Sequence, residues 1–145
     1  MQLTQFTDYS LRALIFIAVR QEYCTIAEIA KAYRISQHHL TKIIHNLSKL
    51  GLIKTVRGRN GGINLAVDPT TVNLKELILK LEPHFDIVPC FNIQKQNCCI
   101  APECKLKNIL LQAQKAFFNV LAEVTLAEVL ENTKSLQKLL GIPIK

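Results

Sequence analysis

TIAEIAKAYRISQHHLTKIIHNLSKLGLIKTVRGRNGG, residues 25–62 of a 145-residue chain, is the stretch on which the fold turns. It opens with Thr25-Ile26-Ala27-Glu28, a capping box in which a hydroxyl and a carboxylate satisfy amides that a helix start leaves free. A short helix to about Tyr33 follows, with Ile26, Ile29 and Ala30 on one face. Arg34-Ile35 makes a tight connection. Ser36 then caps a second helix that runs to about Leu50 and stops at Gly51. On that second helix Leu40, Ile43, Ile44 and Leu47 recur at helical spacing and predict the buried stripe. Gln37, His38, His39, Thr41, Lys42, His45, Asn46, Ser48 and Lys49 take the outer positions. Two short helices with a tight turn, the second bearing hydrogen-bonding side chains outward, are what a helix-turn-helix requires, although any helical hairpin shares the pattern.

The residues that follow favour the DNA-binding reading. Residues 52–56 and 63–67 read as strands, and Arg57-Gly58-Arg59-Asn60-Gly61-Gly62 joins them as a basic, glycine-rich tip. Gly61-Gly62 serves a plain hairpin turn equally well. A hairpin placed directly after a helix-turn-helix and carrying two arginines is better read as a wing, whose Arg57 and Arg59 clamp phosphates or enter a minor groove. Upstream, residues 8–20 read as a helix with Leu11, Leu14, Ile15 and Ala18 in phase and Thr7 or Asp8 as its cap.

Downstream, residues 74–82 form an amphipathic helix that Pro83 ends. An irregular stretch, 83–104, carries Pro83, Pro89 and Pro102, and a loop of that length usually means function or disorder. From Lys105 to about Leu130 one long helix is predicted, with Ile109, Leu110, Ala113, Ala116, Phe117, Val120, Leu121 and Val124 as its apolar stripe. A dimer interface and a monomeric core helix both suit that stripe. The tail, 135–145, has room for a last turn before Gly141 and Pro143.

Charge supports this division. Residues 1–62 hold nine basic and three acidic side chains, a balance of +6, whereas 63–145 hold nine and eight, a balance of +1. A basic front half meets a polyanion, with nucleic acid ahead of membrane. The chain is 49% hydrophobic and 20% charged, enough apolar content for a core. No run approaches the ~20 apolar residues of a membrane span, and Met1-Gln2-Leu3-Thr4-Gln5 shows no signal peptide. A cytoplasmic location is therefore expected. The P-loop, the dinucleotide fingerprint, the nucleophile elbow and HExxH are all missing, so an enzyme is not expected.

Four of the five cysteines, Cys90, Cys98, Cys99 and Cys104, fall in the irregular stretch, separated by seven, zero and four residues. In a reducing compartment clustered thiols bind metal or react more often than they form structural disulfides. Zinc prefers cysteines two to four residues apart with further cysteine or histidine support. Only Cys99 and Cys104 come near that spacing, and no histidine follows His84. Irregular backbone suits a larger thiolate-bound iron–sulfur cluster, and ordinary surface thiols are the plain alternative. Side chains of adjacent extended residues diverge, so one of Cys98 and Cys99 ligates and the other does not. Cys24 reads as a small buried residue.

The sequence resembles a known family, the small winged-helix regulators that carry a cysteine-ligated iron–sulfur cluster, with NsrR-type and IscR-type members. The resemblance rests on Met1-Gln2-Leu3-Thr4-Gln5-Phe6-Thr7-Asp8-Tyr9 with Leu11-Arg12-Ala13-Leu14, and on the wing Val56-Arg57-Gly58-Arg59-Asn60-Gly61-Gly62-Ile63. It continues through Leu81-Glu82-Pro83, Ile100-Ala101-Pro102-Glu103-Cys104-Lys105-Leu106-Lys107 and Thr125-Leu126-Ala127-Glu128, nearly the whole chain. IscR-type members add to three cysteines a histidine three residues after the last; that position is Lys107 here. NsrR-type members use three cysteines, often spaced by five and five residues, and an aspartate from the partner subunit. By context that aspartate is Asp8. The resemblance thus implies Cys90, Cys98, Cys104 and Asp8 of the partner subunit as ligands, with Cys99 the alternative to Cys98. The chain departs from the pattern in its seven-residue first spacer and in the extra thiol of Cys99.

The expected fold is mainly α with a small β-hairpin: a winged helix-turn-helix over 1–68, a connecting helix and cysteine-rich cluster-binding loop over 69–104, and a dimerisation helix with a tail over 105–145. The resemblance implies a homodimeric repressor of a double-stranded DNA operator that loses affinity when nitric oxide reaches a cluster, 4Fe-4S ahead of 2Fe-2S. Expected DNA contacts are Ser36, Gln37, His38, His39, Lys42, Lys49, Arg57, Arg59 and Asn60. The alternative is a thiol- or zinc-responsive regulator or binding protein without a cluster.

Overall fold

The computed structural model describes residues 2–58, 61–92, 94 and 97–144. Its order is α1 (Gln5–Arg20), α2 (Ile26–Tyr33), α3 (Gln37–Lys49), β1 (Ile53–Val56), β2 (Gly62–Leu65), α4 (Leu74–Leu81), α5 (Lys105–Ala122), α6 (Leu126–Val129) and α7 (Thr133–Leu140). The mainly helical architecture with one hairpin is as the sequence predicts.

α1 starts earlier than its apolar pattern suggests. Thr4, not Thr7 or Asp8, is the cap, its hydroxyl oxygen accepting the Thr7 N–H at 3.3 Å. Thr7 is fully buried and Asp8 lies in the first turn, where a carboxylate is favoured by the helix dipole. α2 begins at the capping box foreseen: Glu28 N–H donates to the Thr25 hydroxyl (3.2 Å) and Thr25 N–H to the Glu28 carboxylate (2.7 Å). Arg34 turns the chain in the left-handed region (φ 55°) and leads into α3. Leu40, Ile43, Ile44 and Leu47 are buried, and with Leu14, Ile17 and Ile29 they form the centre of the core.

β1 and β2 pair antiparallel, with Ile53 opposite Leu65 and Val56 opposite Gly62. The hairpin is extended by a third segment. Cys24 and Ile63 exchange backbone hydrogen bonds (3.0 and 2.7 Å), tying the hairpin to the loop between α1 and α2. At Gly62 an added Cβ would meet the Cys24 carbonyl oxygen at 2.8 Å, so close approach excludes a side chain there.

The predicted single helix 105–130 is two. α5 stops at Ala122 because long-range hydrogen bonds draw the chain out of register. The Asn73 side-chain amide donates to the Ala122 carbonyl (2.7 Å), Leu74 N–H to Val124 (3.0 Å), and Leu126 N–H to Val72 (2.8 Å). Thr125 and Glu128 then form a second capping box that starts α6. The tail is a full helix, α7, held to α1 by the Gln137 amide on the Val19 carbonyl (3.1 Å) and ended by Gly141 at φ 65°.

α5 is the exception to the packing rule. None of its side chains is buried. Phe118 meets Phe85 edge-on, with ring centroids 4.8 Å apart, along the side nearer α4. Leu106, Ile109 and Val120 are 63%, 59% and 66% exposed, and with the exposed Ala113 and Ala116 they run along the helix at spacings of 3, 4, 3 and 4. That is the pattern of a coiled-coil seam.

Candidate nucleic-acid interface and cysteine-ligated site

The stripe that buries α3 fixes which way its other face looks. Gln37, His38, His39, Thr41, Lys42, His45 and Lys49 are all exposed, and so is Ser36 at the start. Ser36 occupies the cap position, yet its side chain makes no capping hydrogen bond, which leaves the hydroxyl free. The first turn of α3 carries no acidic residue, so the amides at its start meet no competing carboxylate there. Arg57 stands exposed at the exit of β1. Arg59 and Asn60 lie outside the described residues. The interface is therefore a helix face backed by a rigid core, flanked by a basic hairpin.

The hairpin's geometry depends on glycine at one more place. A Cβ on Gly61 would stand 2.1 Å from the Val56 carbonyl oxygen and within 3 Å of two further backbone atoms. Only hydrogen fits.

Beneath the hairpin Cys24 is 1% exposed and its thiol donates to the Ile63 carbonyl at 3.5 Å. Burial, with the Glu28 carboxylate nearby, pushes the thiol up to about 12. It stays protonated and is a structural residue, as expected of a thiol desolvated in apolar surroundings. The other four cysteines sit elsewhere and differently. Cys90 lies in a short turn (Pro89–Phe91) and is half-buried; Cys98 and Cys99 are exposed; Cys104 is half-buried at the cap of α5, its sulfur accepting the Lys107 N–H at 3.4 Å.

The donor set fits the chemistry of a cluster: soft thiolates on irregular backbone, none of the four locked in the core as Cys24 is. A single chain does not gather them, however. Among the described residues no three His, Cys, Asp or Glu side chains stand together as a metal site. Asp8 is paired instead with Arg12, at 2.9 Å to Nε and 2.9 Å to a terminal guanidinium nitrogen. The Arg12 guanidinium carbon also lies 5.9 Å from the Tyr9 ring centroid and 6.0 Å from that of Tyr33. Sequence reading does not single out Arg12, although the i,i+4 spacing from Asp8 is a legible signal.

A helix-turn-helix with a hairpin wing and an appended long helix defines the class: a winged-helix regulator of transcription. The chain matches the Rrf2 family, described as iron-dependent transcriptional regulators, over residues 3–132. It belongs to that family. It is 45% identical over 143 residues to the HTH-type transcriptional regulator NsrR of Bacillus licheniformis, covering 97% of this chain and all of the relative. Its fold superposes on T. potens IscR with a TM-score of 0.72 at 25% identity, covering 94% of this chain and 91% of the other. CymR of B. subtilis, named as a global cysteine regulator, gives 0.71 at 22% identity over 89% and 95% of the two chains. The family is one of regulators, and the chain is not an enzyme. No helix among the described residues is long and apolar enough to cross a membrane.

Proposed function

We propose that this chain is a cytoplasmic, homodimeric repressor that holds an operator in double-stranded DNA through α3 and the wing and releases it on sensing nitric oxide. The observation that carries the DNA reading is the outward polar face of α3, set by four buried residues and flanked by the basic hairpin. Ser36, Gln37, His38, His39 and Lys42 reach the major groove in this reading. Lys49 lies in or beside the same groove, and Arg57, Arg59 and Asn60 on the wing hold the backbone or minor groove. Dimerisation is supported by the bare seam of Leu106, Ile109, Ala113, Ala116 and Val120, which a second copy of α5 covers.

The sensor in this proposal is an iron–sulfur cluster, 4Fe-4S ahead of 2Fe-2S, held by Cys90, Cys98, Cys104 and Asp8 of the partner subunit. Support comes from the likeness to NsrR-type regulators and from the thiolate donor set. When bound, the cluster supplies iron that reacts with nitric oxide. The protein's own residues do the rest. Cys104 caps α5, so its sulfur is fixed relative to the dimer seam. Asp8 sits on α1, which packs against α3. To serve as a ligand it must leave or share its ion pair with Arg12. A carboxylate shared between subunits therefore links one protomer's cysteine loop to the other's recognition helix, and half-site spacing makes that link matter for DNA. The regulation is a coupling free energy between the two sites.

Anaerobic purification tests the reading. A brown protein with iron and acid-labile sulfide, losing duplex affinity as nitric oxide is titrated, is the expected result. A colourless protein that contains only zinc, or no metal, supports the thiol- or zinc-responsive alternative, which the exposed Cys98 and Cys99 pair also suits. Cys98→Ala is expected to lose the cluster and Cys99→Ala to keep it; the reverse would exchange the two ligands.

A further inference from the structure

A groove of about 220 Å³ runs between the start of α1 and α3, lined by Gln5, Phe6, Tyr9, His39, Lys42 and Ile43. Its floor is apolar, with Ile43 buried and Phe6 and Tyr9 half-buried, and its rim is polar, with Gln5, His39 and Lys42 exposed. No carboxylate is among these six. The nearest in sequence, Asp8, is neutralised by Arg12. We propose that this groove is a seat for one segment of the DNA sugar–phosphate backbone, with Gln5 and Tyr9 as contact residues beyond the helix-turn-helix and wing. This rests on the DNA-binding reading above and extends it to α1.

Charge and shape both point to that occupant. A phosphodiester offers charged oxygens next to a compact, weakly polar deoxyribose. The groove offers a lysine and a histidine at its lip, an amide and a phenol at its other edge, and apolar surface between. The half of the chain that carries it has a balance of +6, so a polyanion is the complementary partner. Two of its lining residues, His39 and Lys42, belong to the helix face already assigned to DNA. A duplex engaged by that face is therefore brought beside the groove. Neutral donors such as the Gln5 amide are regular phosphate ligands in protein–DNA contacts, and they set orientation, not sequence. Tyr9 is adjacent in sequence to Asp8 and lies under Arg12, the ion-pair partner of Asp8.

Gln5 is the residue to test, because there the effects on folding and on DNA run in opposite directions. It is the first residue of α1, where an anion stabilises a helix and a cation does not. Gln5→Glu therefore keeps or raises the melting temperature, while a carboxylate against phosphate lowers duplex affinity, by about tenfold at low salt. Gln5→Lys adds one phosphate contact and steepens the dependence of log K on log salt by about 0.9. Affinity is read by fluorescence anisotropy on a labelled duplex at several salt concentrations, with Lys42→Met as reference for a lost contact on α3. The inference is overturned if Gln5→Glu and Gln5→Lys bind as wild type at every salt concentration while Lys42→Met is weakened. If the wild-type protein itself shows no salt-dependent duplex binding, it is the DNA reading that fails.

Discussion

Replacing Gly61 by alanine tests whether the hairpin acts as a wing. The added Cβ would stand 2.1 Å from the Val56 carbonyl oxygen, 2.8 Å from the Val56 carbonyl carbon and 2.9 Å from that of Arg57, where ordinary contact begins at 3.4 Å. All three are backbone atoms, so no side-chain rotation relieves the overlap. The chain must give by more than 1 Å, and it can do so only by opening the Val56–Gly62 end of the ladder. One or two ladder hydrogen bonds are lost, at about 1 kcal/mol each. Against a domain stability of about 5–15 kcal/mol the fold survives, with a melting temperature lower by roughly 5 °C. DNA binding suffers more. Opening that end of the ladder displaces the adjoining Arg57, and a lost charge-assisted contact of about 1.5–3 kcal/mol weakens binding by about tenfold or more. The salt slope falls by about 0.9 for each phosphate released. Thermal melting followed by circular dichroism reads the first effect, and anisotropy on a duplex across a salt series reads the second. A protein with the lowered melting temperature but wild-type affinity and slope would falsify the wing.

Three further outcomes are expected. In the metal-free protein iodoacetamide at about pH 8 labels Cys98 and Cys99, which are exposed, and spares Cys24, whose thiol is pushed up to about 12; peptide mapping that finds Cys24 modified in the folded protein contradicts its burial. Val120→Glu places a charge in the bare seam of α5 and yields a monomer by light scattering; a dimer that persists would locate the interface elsewhere. Glu128 has its carboxyl held below the ordinary range by the Thr125 amide and hydroxyl. Its contribution is therefore present above the ordinary glutamate value of about 4.3 and lost as the pH falls through the lower folded value. Wild type melts higher than Glu128→Gln at pH 7, and the gap closes as the pH falls below the carboxylate range; a gap independent of pH rules out the carboxylate as its source.

What the chain reveals from its letters alone is whatever is decided within a few residues. The Thr25–Glu28 capping box and the 40, 43, 44, 47 stripe are local, and both are found where the pattern puts them. The cap of α1 misleads because Thr7 is a good cap by type yet is fully buried, and Thr4 performs that role three residues earlier. The helix break at 123–125 is illegible for a different reason. Its partners, Val72, Asn73 and Leu74, stand about fifty residues away, and the intervening apolar period runs on through the break. The Cys24–Ile63 bridge is equally non-local. For the cysteines the sequence shows the donors and their crowding, while their grouping belongs to no local pattern: in the proposed arrangement it depends on a metal and on a second chain.

One consequence of the bare α5 concerns the amount of protein in the cell. An 18-residue helix with no fully buried side chain draws only part of its stability from its own chain, through contacts such as Phe118 on Phe85, and leaves the rest to a partner. In the proposed dimer its stability is drawn from association, so it follows mass action. Dilution then loosens the helix from its start, and the start is Cys104. The order of one proposed ligand, and with it the readiness of the loop to hold the proposed cluster, becomes a function of protein concentration. On that proposal, few copies per cell give a regulator that is less able to sense as well as less able to bind.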